Sequence, residues 1–123
     1  MENSDKMKIL LADDDASMRR LLEVILRKAN FEVVSAEDGL QAMKLAFEND
    51  FSAIVADAIM PHLTGYDLCR MVKNKDGKKH VPIVILSGLD TNSSEAEKSA
   101  ADAYLTKTPQ LKDELIETLK SLI

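Results

Sequence analysis

Along this chain, short β-rich runs alternate with stretches whose apolar residues recur at helical spacing. The runs fall at Lys8–Ala12, Glu32–Ser35, Ala53–Asp57, Ile83–Ser87 and Ala103–Thr106. Within them Ile9–Leu11, Ala53–Val55 and Ile83–Leu86 are unbroken and apolar, as strands covered on both faces are. Met18, Leu21, Leu22, Ile25 and Leu26 sit at i, i+3, i+4, i+7 and i+8 and predict one buried helical stripe. Leu40, Met43 and Phe47 repeat the pattern after Asp38-Gly39, and Leu68 and Val72 do so after Gly65. Leu111, Leu115, Leu119 and Leu122 form the last stripe, with Thr108 placed to cap and Pro109 at the first helical position. A capping box at Ser94–Glu97 announces one more helix, the fourth in order. Only alanines and no large apolar residue follow it, so that helix is expected to be short and loosely held. Strand–helix alternation repeated five times predicts a parallel sheet with helices on both faces. In such sheets ligands bind beyond the carboxyl ends of the strands, where the strand order reverses.

Composition narrows the picture. With 123 residues the chain is expected to form a single domain over 1–123, with an ordered core over about 7–123. Apolar residues at 46% can build a core, and with 4% aromatics and no Trp that core must be mainly aliphatic. The formal net charge of -5 argues against nucleic acid as the main partner, because phosphate backbones attract basic surfaces. The basic stretch from Lys73 to His80 is read as a solvated loop at the amino ends of the strands. Cys69, the one cysteine, lies among Leu68, Met71 and Val72 and is read as a small core residue. No apolar run approaches the ~18 residues of a membrane span, and the first residues lack the apolar stretch of a signal peptide. A cytoplasmic, non-membrane protein is expected.

The chemistry collects at the strand ends. The first run ends in Asp13-Asp14-Asp15, the third in Asp57, the fourth in Ser87 and the fifth in Lys107. Carboxylates brought together on one rim repel, and a cation offsets them. Without His or Cys among them they select a hard ion with oxygen ligands: magnesium, manganese or calcium. Lys107 supplies a compact positive charge and Ser87 a hydroxyl donor, which suit a phosphate. Asp57, alone among apolar residues on the central run, is the candidate nucleophile, since a carboxylate can attack phosphorus to give an acyl phosphate. Asp15 by itself reads more simply as a turn and helix N-cap.

These residues, taken with Met18-Arg19-Arg20, Ala36–Gly39, Met60-Pro61, Gly65, Val81-Pro82 and Ala101–Lys107, resemble the receiver domain of two-component response regulators, including the single-domain chemotaxis regulator. The resemblance runs from Lys8 to Ile123. It implies a flavodoxin-like (βα)5 fold with strand order 2-1-3-4-5. It also implies a phosphorylation-dependent switch that catalyses only its own phosphoryl uptake and hydrolysis. Asp57 would take the phosphoryl group from a sensor histidine kinase or phosphotransfer protein. Magnesium, or manganese in its place, would be held by Asp14, Asp57 and the backbone carbonyl of Ile59, with Asp13 assisting. Lys107 and Ser87 would bind the phosphoryl oxygens, and Ser87 and Tyr104 would move as the switch. Output would pass to a downstream protein through the face made by the fourth helix, fifth strand and fifth helix.

Two departures from the family pattern bear on the site. Ile59 is apolar where many relatives carry a polar residue near the attacking water. Thr108 stands between Lys107 and Pro109, where relatives have Pro directly after the lysine. A cis bond before Thr108 would cost about 2.5–4 kcal/mol, so a trans Lys107–Thr108 bond is expected. Two rival readings remain. Asp13-Asp14-Asp15-Ala16-Ser17 fits the opening of haloacid-dehalogenase-like phosphatases, with Asp13 as nucleophile and Asp15 as acid/base. The other rival is a degenerate receiver that binds a partner without being phosphorylated.

Overall fold

The computed structural model describes residues 6–88, 94 and 98–123. Among the described residues the elements follow in chain order as β1 (Lys8–Ala12), α1 (Ala16–Lys28), β2 (Glu32–Ala36), α2 (Gly39–Glu48), β3 (Ala53–Asp57), α3 (Gly65–Lys73), β4 (Ile83–Ser87), β5 (Ala103–Thr106) and α4 (Leu111–Leu122). The strands form one parallel sheet in the order β2-β1-β3-β4-β5. Of the stretch 7–123, residues 89–93 and 95–97 lie outside the described residues, and with them most of the helix expected to open at Ser94. Ser94, Lys98 and Ser99 are described, all three helical.

Burial follows position in the sheet. Every residue of β3 and β4 is buried, and β1 is buried from Ile9 onward, whereas β2 and β5, at the edges, are mostly half-exposed. The sheet divides the apolar interior in two. Leu10, Ala12, Ile54, Ala56, Ile83 and Ile85 face α2 and α3. Ile9, Leu11, Val55, Val84 and Leu86 face α1 and α4. Each Leu or Ile so buried contributes about 1.5–3 kcal/mol of transfer free energy. Cys69 is fully buried in the first cluster, and burial pushes its thiol up to about 11.

The helix stripes differ in part from expectation. In α1, Leu22 and Leu26 are buried, but Leu21 is 54% exposed. In α2 the packed face is Gly39, Ala42 and Ala46, and Leu40 is 49% exposed. Close approach explains that face: a Cβ on Gly39 would lie 2.1 Å from the Leu63 carbonyl oxygen. The final stripe is as expected, with Leu111, Leu115 and Leu119 buried. Its start is not. α4 begins at Leu111, two residues after Pro109, because Thr108 and Pro109 form a preceding turn in which Thr108 Oγ1 accepts the Gln110 N–H at 3.2 Å. No cis peptide bond occurs among the described residues, so Lys107–Thr108 is trans.

The Lys73–His80 stretch lies at the amino end of β4 as expected, but it is not simply solvated. Lys73 Nζ donates to the Val81 carbonyl and to Asp102, each at 2.8 Å. Lys78 Nζ donates to the Asn49 carbonyl at 2.6 Å. These lysines tie α2, α3 and β4 together.

Candidate functional site

Because β1 lies between β2 and β3, the strand order reverses at the β1/β3 pair, and the carboxyl ends of those two strands are neighbours. Ala12 pairs with Ala56, so Asp13 and Asp57 leave the sheet side by side. One carboxylate oxygen from each of Asp13, Asp14 and Asp57 lies within 4.8 Å of the other two. β4 ends beside β3 and delivers Ser87, 5% exposed, and β5 beside β4 delivers Lys107. The Lys107 N–H donates to the Ser87 carbonyl at 2.8 Å, and its Nζ stands 3.1 Å from Asp57 Oδ2. The trans bond after Lys107 therefore does not keep its ammonium from Asp57.

Asp13 is the most constrained member. It is fully buried; Oδ1 accepts the Asp15 N–H at 2.9 Å, and Oδ2 has no protein partner. Burial pushes its carboxyl up from 3.8 to about 6. The Asp57 and Asp14 charges add to the rise, while the Asp15 N–H and Lys107 oppose it. A buried carboxylate oxygen with no donor, among two further carboxylates, suits a hard divalent cation with oxygen ligands. Asp14 is exposed and Asp57 nearly buried, so the cluster opens to solvent on one side.

The loops around the cluster are stapled. Asp15 caps α1, its Oδ1 accepting the Ser17 and Met18 N–H groups at 2.9 and 3.2 Å. That employment leaves it poorly placed as the acid/base of the phosphatase reading. Arg19 Nη1 donates to the Asp13 carbonyl at 2.8 Å, closing the β1–α1 loop from the helix side. In the β3–α3 loop the Ala58 N–H donates to the Leu86 carbonyl at 2.8 Å and the Gly65 N–H to the Ala58 carbonyl at 2.9 Å. The Leu63 N–H reaches back to the Pro61 carbonyl across His62, whose φ of 72° makes this the rarer hand of γ-turn. A Cβ on Gly65 would lie 2.3 Å from the Asp57 carbonyl oxygen, so α3 begins where only glycine fits. Ile59, two residues beyond Asp57, points an apolar side chain into solvent at 70% exposure.

Tyr104 stands on β5, 37% exposed, with its hydroxyl 2.8 Å from Ser99 Oγ and accepting the Ala101 N–H at 2.9 Å. Sequence reasoning assigned no role to Arg19 or Ser99, and it read Gly65 only as the start of a helix. Met18-Arg19-Arg20 at a helix start gives a cue for Arg19, whereas a serine near Ser94–Glu97 gives none for Ser99. Surface hollows lined by Lys6, Phe31, Glu32 and Lys120 share no residue with the acidic cluster. No helix among the described residues is long and apolar enough to cross a membrane.

The arrangement gathers the groups that phosphoryl chemistry uses: a nearly buried carboxylate, two further carboxylates that could hold a cation with it, and an ammonium and a hydroxyl nearby. Comparison with known proteins agrees. The family model for the response regulator receiver domain matches residues 9–120. Protein PilG of Pseudomonas aeruginosa is 34% identical over 122 residues, covering 98% of this chain and 90% of PilG. The transcriptional regulatory protein ResD of Bacillus subtilis is 31% identical over 125 residues, covering 100% of this chain, which thus spans 50% of ResD. Among solved structures, the response regulator protein TrrA of Thermotoga maritima, in complex with Mg(2+)-BeF, superposes with a TM-score of 0.84 at 29% identity. That match covers 95% of this chain and 99% of TrrA.

Proposed function

The chain belongs to the response regulator receiver domain family, and from that premise we propose that it is a cytoplasmic phosphoryl-accepting switch working through Asp57. The observation that carries the reading is the convergence of Asp13, Asp14 and Asp57 oxygens within 4.8 Å, with Lys107 Nζ 3.1 Å from Asp57. An Asp57 carboxylate oxygen attacks the phosphorus of a phosphohistidine carried by a sensor histidine kinase or phosphotransfer protein. The P–N bond breaks, its electron pair leaves with the imidazole, and an aspartyl phosphate forms. Lys107 binds the phosphoryl oxygens, and the Ser87 hydroxyl donates to them as it moves toward the new charge. Asp14, Asp57 and the Ile59 carbonyl would hold magnesium, with Asp13 assisting. The cation, when bound, offsets charge on the carboxylates and on the transferred group. Hydrolysis by an approaching water restores Asp57 and releases phosphate. Output passes by protein contact through the face made by β5, α4 and the helix expected from the sequence at Ser94, and this domain contacts no nucleic acid.

Incubation with acetyl phosphate and magnesium should add one phosphoryl group by intact mass. Asp57→Asn or removal of magnesium by EDTA should abolish the addition. Full labelling of Asp57→Asn would sink the assignment.

A further inference from the structure

Two arginines stand side by side in α1, and the fold treats them differently. Arg20 is exposed, whereas Arg19 is half-buried and turns back over the loop that precedes the helix. Its N–H donates to the Asp15 carbonyl at 2.9 Å, within the first turn. A helical side chain leans toward the N-terminus from there, and Arg19 Nη1 reaches the Asp13 carbonyl at 2.8 Å. Lys107 sets its ammonium directly on Asp57. Arg19 instead sets its charge on a neutral carbonyl, on the backbone of the cluster rather than on its carboxylates.

What needs holding there is a bend. Successive side chains along a strand point to opposite faces, so Asp13 and Asp14 could not serve one ion if β1 simply continued. Yet an oxygen of each lies within 4.8 Å of the other and of Asp57. The chain has therefore turned at Asp13. The Asp13 N–H is held by the Ala36 carbonyl at 3.2 Å, and Asp13 Oδ1 by the Asp15 N–H at 2.9 Å. Arg19 ties the remaining backbone group of Asp13 to α1. Asp13 is fully buried, so that carbonyl has no water to take in exchange for the guanidinium.

We propose that Arg19 is a positioning residue of the cation site: its hold on the Asp13 carbonyl keeps the β1–α1 bend in the form that converges Asp13 and Asp14 on Asp57. This rests on the phosphoacceptor reading above and deepens it by naming a residue outside the ligand set on which the site depends. Arg19 works against its own charge. A guanidinium near the site repels a divalent cation, so the Coulombic effect of removing it is tighter binding. Loss of the bend gives weaker binding, and the sign of the change separates the two.

The EPR signal of free manganese, with magnesium in competition, gives affinities without any phosphoryl transfer. Titrations run well below the melting temperature of each variant are not moved by a loss of global stability. Arg19→Met, which keeps an apolar stem and loses charge and donors, should weaken binding of both ions by about ten-fold, the lower end for groups that orient metal ligands. Arg19→Lys, which keeps a charge and a donor, should bind more tightly than Arg19→Met. Arg27→Met removes a charge from the same helix, where Arg27 pairs with Glu23 at 3.8 Å, and should bind as the wild type does. If Arg19→Met does not fold, Arg19→Gln, whose amide stops short of the guanidinium's reach, carries the comparison. A wild type that binds neither ion overturns the cation-dependent phosphoacceptor reading and the part of Arg19 with it. Wild-type binding with Arg19→Met equal or tighter, with Arg19→Lys no tighter than Arg19→Met, or with Arg27→Met weakened as much, overturns the role of Arg19 alone.

Discussion

Asp13→Asn should stabilise the metal-free protein near neutral pH and leave it little changed in acid. Asp13 is fully buried, and its carboxyl is pushed up from 3.8 to about 6, chiefly by burial and then by the charges of Asp57 and Asp14. The native state therefore holds its proton more tightly than the unfolded chain does. Between about pH 4 and pH 6 the unfolded state loses the proton first, and stability falls as pH rises. At about 1.4 kcal/mol per pH unit, the span corresponds to on the order of 3 kcal/mol lost by pH 7. An asparagine keeps an acceptor for the Asp15 N–H and presents a neutral amide donor to Asp14 and Asp57. For a chain of this length 1 kcal/mol moves the melting temperature by roughly 3–6 °C, so the variant should melt on the order of 10 °C higher at pH 7.5 in EDTA. The gap should close toward pH 4, where both proteins are neutral at this position. Magnesium should close it from the other side: a native-state ligand at ~100 times its dissociation constant adds about 2.7 kcal/mol. Only the wild type has the third carboxylate to use that binding fully. Melts of the two proteins at pH 4 and 7.5, each with EDTA and with magnesium, form the assay. A variant that melts at or below the wild type at pH 7.5 in EDTA would refute the reasoning.

Two further substitutions probe the β3–α3 loop. Gly65→Ala puts a Cβ 2.3 Å from the Asp57 carbonyl oxygen, so the backbone must give. It should cost about 1–3 kcal/mol by chemical denaturation and slow phosphoryl uptake, and an unchanged uptake rate would show that the loop absorbs the clash without moving Asp57. Ile59, 70% exposed beside the nucleophile, offers nothing to orient a hydrolytic water. The aspartyl phosphate of the wild type should therefore outlast that of Ile59→Asn several-fold once the donor is removed, and equal decay rates would count against this role.

Most of the sheet was legible because its signal is periodic. The runs at Lys8–Ala12, Ala53–Asp57, Ile83–Ser87 and Ala103–Thr106 coincide with β1, β3, β4 and β5, and the polar residues at their ends meet because parallel strands align those ends. The helix faces were less legible. Search for large apolar residues selected Leu40, whereas α2 packs through Gly39, Ala42 and Ala46, where backbones approach too closely for larger side chains. Leu21 matched the spacing of α1 yet lies on its solvent side, since a 3.6-residue period leaves the edges of a stripe undecided. The polar staples had no period at all. Arg19 on the Asp13 carbonyl, Lys78 on Asn49 and Tyr104 on Ser99 join residues whose separations in sequence follow no rule.

The division of the interior by the sheet has a consequence for how such a chain can diverge. Leu10 and Leu11 are neighbours in sequence but belong to different clusters, one under α2 and α3 and the other under α1 and α4. Substitutions that repack one side share few partners with the other, so their effects on stability should add. The side bearing α1 can thus be repacked while the side bearing α3 stays as it is, and each half of the molecule is free to diverge on its own.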